Sequence, residues 1–232
     1  MTPALRRLHP SPTAATTVRE AYDVTRRPLP GRPWIGVCMV ASLDGSVAVD
    51  GTSGALGNDN DMAVLHTLRQ LADVIIVGAG TVRGEGYGPP EKAGQRIGVV
   101  TNSGRVDVST PLFTTGAGFL IAPHSATIDG SVEVLRAGDD LVDLTEAVGR
   151  VVEIDAGTRY VQAEGGPTLN GALLADDLID EIDLTISPRL AGGAGPRLTV
   201  GAPERIRGYD LAHLLADDDG FVFTRWVRSA NT

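Results

Sequence analysis

Tyr160-Val-Gln-Ala-Glu-Gly-Gly-Pro-Thr-Leu-Asn-Gly171 is the stretch on which the reading of the fold turns. Four residues suited to a buried strand lead into one acid, Glu164, then a glycine pair, then a helix start. Gly165 and Gly166 allow backbone angles closed to other residues and let a ligand approach the main chain. Pro167 suits a first helical turn, where its missing N–H would have no partner anyway. The unpaired N–H groups of that turn favour an anion such as a phosphate. An ordinary strand–turn–helix with an exposed Glu has the same pattern, so the stretch alone leaves both readings open.

The rest of the chain narrows the choice. At 232 residues, with 42% hydrophobic and 21% charged residues, it is globular and long enough to bury a sizeable core. The net charge of −9 and the single lysine, Lys92, argue against nucleic acid and anionic membranes as partners. A small phosphorylated ligand stays open, since one or two Arg suffice. Cys38 is the only cysteine, which rules out an intrachain disulfide and fits a reducing cytoplasm. No apolar run is long enough for a signal peptide or a membrane span.

Residues 1–33 differ in character from the rest of the chain. They hold six prolines and a net charge of +4, leaving −13 for the remainder. They read as an arm or lid with little core of its own, with one or two helical turns over 18–24. Residues 34–232 then read as a single domain. Trp34-Ile-Gly-Val-Cys-Met-Val-Ala41 suits a strand buried on both faces. Further strands are expected at 73–78, 96–101, 118–122, 132–135, 160–163, 181–188 and 220–227, with 209–215 a terminal segment. Helices are expected over 61–71, with Met62, Leu65, Leu68 and Leu71 inward, over 145–154 with Thr145 as cap, and over 168–175. Such alternation means an α/β sheet, mostly parallel, with an antiparallel edge from the last strands.

Ligands of such sheets bind beyond the carboxyl ends of the strands. The turns there are Asp44-Gly45, Gly78-Ala-Gly-Thr81, Asn102-Ser-Gly-Arg105 and Glu164-Gly-Gly166. The second is not a Rossmann fingerprint, because the third glycine position falls on Arg83 and no acid-ended strand comes about 20 residues later. Its backbone N–H groups still suit a phosphate. Asn102, Ser103 and Arg105 offer an amide, a hydroxyl and a guanidinium, a mix that suits the 2′-phosphate of NADP. The four histidines are isolated, no metal pattern occurs, and a G-x-S-x-G is absent.

Five motifs together resemble one family. Met39-Val-Ala-Ser-Leu-Asp-Gly45, Leu68-Arg-Gln-Leu-Ala-Asp73, Val77-Gly-Ala-Gly-Thr-Val-Arg83, Thr101-Asn-Ser-Gly104 and Ala163-Glu-Gly-Gly-Pro-Thr-Leu-Asn-Gly-Ala-Leu-Leu174 look like the reductase domain of riboflavin biosynthesis, the RibD C-terminal type. The resemblance implies a dihydrofolate-reductase-like fold with helices on both faces of the sheet. It implies reduction of 5-amino-6-(5-phosphoribosylamino)uracil by NADPH, in a cytoplasmic homodimer. Carried over, Gly78, Gly80, Thr81, Ser103, Gly165, Gly166, Pro167, Thr168 and Leu169 would hold NADP. Ser53, Arg69, Glu85 and Glu164 would hold the phosphorylated substrate, and Glu164 or Asp44 would manage its proton. Two departures bear on the substrate. Ala55 stands where the family often has an aromatic. The stretch Gly84-Glu-Gly-Tyr-Gly-Pro-Pro-Glu-Lys92 lacks a substrate-holding Arg, unless Lys92 or Arg96 serves. Rival readings are reduction of a pterin, dihydrofolate or other small carbonyl or imine compound, and a non-catalytic NADP-binding protein.

Overall fold

A computed structural model describes residues 4–128 and 130–230. The chain enters through β1 (Leu5–His9), β2 (Thr13–Thr16) and α1 (Val18–Tyr22), whose N-terminus is closed by a Thr17/Glu20 capping box. The central strand β3 (Trp34–Ala41) is next, then α2 (Asp59–Leu71), β4 (Val74–Gly78), α3 (Ala79–Glu85), β5 (Arg96–Val100), α4 (Pro111–Thr114) and β6 (Gly118–Ala122). After these come β7 (Val134–Arg136), α5 (Leu144–Arg150), β8 (Tyr160–Ala163), α6 (Pro167–Ala175), β9 (Glu181–Ile186), β10 (Tyr209–Asp217) and β11 (Val222–Arg228).

All these strands join one sheet, in the order β2-β1-β10-β11-β9-β3-β8-β4-β5-β6-β7. From β9 to β7 every pairing is parallel, and from β9 to β2 every pairing is antiparallel. The mixed α/β sheet with an antiparallel edge expected from the alternation is therefore present. The parallel half is apolar on both sides. Ile35, Val37, Val74, Ile76 and Val161 pack with α5 and α6 on one face. On the other, Cys38 packs with α1 and α2, and Ile75, Val77 and Ile97 pack with residues of α3 and α4. Each such side chain contributes about 1.5–3 kcal/mol by leaving water. Among the described residues no helix is long and apolar enough to cross a membrane.

Three expectations need correction. Helix α2 buries Asn60, Val64 and Leu68, while Met62 is exposed. The reason is polar: Asn58 and Asn60 both donate to Asp217 Oδ2, at 2.8 and 3.0 Å, which fixes the rotation of the helix. The cap of α5 is Asp143, which accepts from Glu146 N at 2.9 Å, and not Thr145. The segment 1–33, expected as an arm or lid with little core, is built into the sheet over its described part. Leu5, Val18, Ala21 and Tyr22 join a core cluster. Arg26 forms a buried ion pair with Glu181 at 2.6 Å, and Arg32 holds Asp180 with two bonds of 2.6 and 2.8 Å.

Candidate active site

A cleft of about 1110 Å³ opens at the carboxyl ends of β3, β4, β5 and β8. Parallel strands leave their loops together at that end, so motifs far apart in sequence meet there. Of the residues named from sequence, Gly78, Gly80, Thr81, Asn102, Ser103, Gly166, Pro167, Thr168, Leu169, Ser53, Arg69, Glu85 and Glu164 all line it. Asp44, Arg105 and Gly165 do not line it.

At its inner end Glu164 leaves β8 and is buried. Its Oε1 accepts from Arg69 Nε and its Oε2 from Arg69 Nη2, both at 2.7 Å. Tyr87 O–H donates to the same Oε2 at 2.8 Å. The Arg69 guanidinium also lies 5.3 Å from the centre of the Tyr87 ring. Burial disfavours charge on Arg69, but the Glu164 hydrogen bonds and charge outweigh it and raise its pKa. Burial first, and the Glu164 charge second, push the Tyr87 phenol well up, so it stays a proton donor. Tyr87 was not expected from sequence, because it sits in the stretch where this chain departs from the family pattern.

Facing this cluster are two glycine turns pressed together. Gly78 N donates to Gly165 O at 2.8 Å. A Cβ on Gly78 would approach Gly166 N to 3.4 Å, and one on Gly166 would meet Thr81 Oγ1 at 2.8 Å. Gly165 has φ +77 and lies against Met39, where a Cβ would come within 3.0 Å of Sδ. Only glycine keeps the three segments this close. Gly166 caps α6 and Pro167 takes its first position. Asn170 is the first N–H to bond back, to Gly166 O at 3.0 Å, which leaves the Thr168 and Leu169 N–H groups outside the helix ladder.

The remaining candidates have other duties. Ser53 donates through N and Oγ to Glu85 Oε1 at 3.0 and 3.1 Å, so these two residues brace each other across the cleft wall. Asn102 Oδ1 accepts from Val142 N at 2.9 Å. Ser103 borders the cleft, while Arg105 offers its carbonyl to Arg83 Nη1 at 3.4 Å. Arg83, like Ser103, lines the cleft. The Asp44 carboxylate accepts from Ser42 Oγ at 2.5 Å, Gly192 N at 2.7 Å and Ala191 N at 3.1 Å. Those bonds, the Ser42 hydroxyl foremost, hold it down at about 2. It anchors the loop after β9 instead of facing the cleft. Arg96 points away, paired with Glu133 at 2.6 Å. Lys92 does line the cleft, and its Nζ donates to Ala72 O at 2.6 Å near the end of α2 that carries Arg69.

A mixed sheet whose parallel half carries a glycine-lined cradle and a buried carboxylate–guanidinium–phenol cluster in one cleft defines a protein of the dihydrofolate-reductase-like fold class. Within that class the family model described as RibD C-terminal domain matches residues 33–223, and the chain belongs to that family. A 2,5-diamino-6-ribosylamino-4(3H)-pyrimidinone 5′-phosphate reductase of Methanothermobacter thermautotrophicus is 27% identical over 186 residues, covering 73% of this chain and 84% of that protein. The riboflavin biosynthesis protein RibD of Mycobacterium tuberculosis is 30% identical over 192 residues, covering 78% of this chain and 48% of that longer protein. Among solved structures, a pyrimidine reductase-like protein from Corynebacterium diphtheriae superposes with a TM-score of 0.78 at 22% identity, over 93% of this chain and all of that one. The riboflavin biosynthesis reductase Rib7 of Saccharomyces cerevisiae gives 0.67 at 20% identity, over 86% of this chain and 91% of that one.

Proposed function

We propose that this protein is an NADPH-dependent reductase that turns the ribosyl group of a 5-amino-6-(5-phosphoribosylamino)pyrimidine into a ribityl chain, a step of riboflavin biosynthesis. The observation that carries this reading is the meeting, in one cleft, of the glycine cradle with the Glu164–Arg69–Tyr87 cluster. The residues present fit a dinucleotide: Gly78, Gly80 and Gly166 line the cleft with Thr81, and the Thr168 and Leu169 N–H groups at the start of α6 lie outside its helix ladder. Thr81, Ser103 and 166–169 would hold it, with Arg83 serving the 2′-phosphate. When bound, the cofactor supplies the hydride.

The chain's own residues supply position, charge and a proton. Opening the ribose ring breaks its C1′–O bond and leaves C1′ as an imine carbon, and hydride addition there needs one proton on the adjoining nitrogen. Tyr87 holds a proton at its phenol oxygen, and Glu164 with Arg69 fixes where that oxygen sits. Arg69 and Lys92 are the cations at that end of the cleft for the substrate phosphate. The active species is a homodimer, in which a second copy covers the apolar Leu190, Val200 and Ile206 left exposed after β9. Sedimentation as a monomer at micromolar concentration would overturn that part.

The assay measures NADPH oxidation with the phosphoribosylaminopyrimidines beside dihydrofolate. Turnover of the former is expected. Turnover of dihydrofolate alone would move the protein to pterin chemistry. NADPH binding without turnover of any of them would make it a binding protein.

A further inference from the structure

A second cavity, of about 210 Å³, lies between the sheet, α6 and the segment 198–209. It shares no lining residue with the active-site cleft. The sheet gives it Val37 on β3 and Ile182 on β9, which are register partners. Helix α6 gives it Asn170 and Leu174, one turn apart and so on one side of the helix. The stretch 198–200 is pinned to α6 and keeps the cavity's shape. Val200 N donates to Pro167 O at 2.9 Å, and Asn170 Nδ2 donates to Leu198 O at 3.1 Å. Gly171 packs so close that a Cβ there would collide with the Val200 carbonyl. The bond to Leu198 also settles which way the Asn170 amide faces. Its Oδ1 is left fully buried with no hydrogen-bond partner among the described residues. Such an oxygen is costly to leave unpaired and marks a place for a donor.

Exposed Arg205 and half-buried Arg207 give the cavity a charged side. Both reach one acid: Arg205 Nη1 donates to Asp177 Oδ2 at 3.0 Å and Arg207 Nε to Asp177 Oδ1 at 2.7 Å. Two guanidiniums share a single carboxylate there, so a positive charge and several N–H groups are left over. An apolar body, one buried acceptor and a cationic side together describe an occupant. We propose that this cavity binds a small aromatic acid that carries an O–H or N–H donor opposite its carboxylate. The donor meets Asn170 Oδ1 and the carboxylate meets Arg205. The site also lies behind the glycine cradle. Asn170 N donates to Gly166 O at 3.0 Å, and a Cβ on Gly165 would come within 3.9 Å of Asn170 Nδ2. A filled cavity therefore alters the affinity of that cradle for NADPH. Binding itself is independent of the reductase reading above; the effect on NADPH rests on it.

The test is titration calorimetry with three probes: 4-hydroxybenzoate, benzoate, which lacks the donor, and 4-methylphenol, which lacks the carboxylate. Wild type is expected to bind 4-hydroxybenzoate about tenfold more tightly than either of the others. Arg205→Ser, a change on the surface, should bring 4-hydroxybenzoate down to 4-methylphenol and leave 4-methylphenol unchanged. Asn170→Leu should erase the preference over benzoate. Arg69→Met, in the active-site cleft, should leave all three affinities as they were. With 4-hydroxybenzoate saturating, the Kd of NADPH should shift by about fivefold, and NADPH should shift the Kd of the probe by the same factor. No binding at about millimolar probe overturns the inference. So does binding lost in Arg69→Met and kept in Arg205→Ser, which puts the probe in the active-site cleft. Affinity that falls as protein concentration rises makes a second copy the occupant and overturns it too. An unchanged Kd of NADPH overturns the link to the cradle. If NADPH itself does not bind, the reductase reading falls, while the three probes still decide the site.

Discussion

Glu164 engages both carboxylate oxygens in hydrogen bonds to Arg69 and Tyr87, which makes it the residue that orders the inner end of the cleft. Glu164→Gln removes the charge that balances Arg69 while keeping one acceptor. We expect kcat to fall by roughly 100-fold or more, within the range of a positioned proton-transfer group, with the NADPH Kd unchanged. Stopped-flow single turnover beside cofactor titration checks both halves; an unchanged single-turnover rate would remove Glu164 from the chemistry. Arg83 and Ser103 both line the cleft. Arg83→Ala should weaken NADPH by about tenfold and leave NADH nearly unaffected, because the lost partner is the 2′-phosphate alone. Equal weakening of both cofactors would reassign Arg83. The sequence pointed to Glu164, Arg69 and Ser53 because each lies within or beside a motif. It missed Tyr87, in the stretch that departs from the family, and named Arg105, which does not line the cleft, because a turn shows nothing of where its side chains point.

The strands and helices of the parallel half arise from runs of apolar residues between glycine and proline punctuation, and these are visible without a structure. The facing of α2 is not. Its leucines suggested one stripe, and Leu65, Leu68 and Leu71 do meet the core, but Met62 is exposed and Asn60, bonded with Asn58 to Asp217 far along the chain, is buried at that end instead. The N-terminal segment was harder still. Its prolines and positive charge looked like a solvated arm, but two of its arginines are counter-ions for acids at the start of β9. Glu181 accepts from Arg26, Arg225 and Trp34 while buried. Arg26→Met would leave part of that charge uncompensated and should destabilise the fold by about 3–5 kcal/mol. Urea unfolding measures it. A change below about 0.5 kcal/mol, the size of an ordinary surface substitution, would mean that the segment is a loose arm after all.

Taken as one molecule, the protein is a single sheet whose antiparallel side carries this buried ionic network. Burial pushes the Glu181 carboxyl up, but the Arg225 hydrogen bond and the Arg26 charge outweigh it and hold it at about 2 against an ordinary 4.5. A carboxyl depressed in the folded state contributes stability that is fully present above its unfolded value and lost as pH falls through its folded value. The melting temperature should therefore drop between about pH 4.5 and 2, and Glu181→Gln, starting from a lower value, should show a shallower drop over that window. Neighbouring Asp183 runs the other way, pushed well up by burial first and by the Glu181 charge second. Thermal scans of wild type and variant across that range decide it; parallel curves would remove Glu181 as the source of the acid limb.

The class of the protein is legible in the chain alone: buried strands alternating with helices, a glycine turn leading into a helix start, and motifs in the order of one reductase family. These signals are local, since strand period, turn chemistry and helix caps act over a few neighbours. Which acids face the cleft and which close a loop depends instead on the folded molecule. Asp44 and Asp61 are both acids beside turns on paper. One is spent on Ser42 and the backbone of 191–192, while the other lines the cleft. That difference arises from contacts more than a hundred residues apart, which no local pattern encodes.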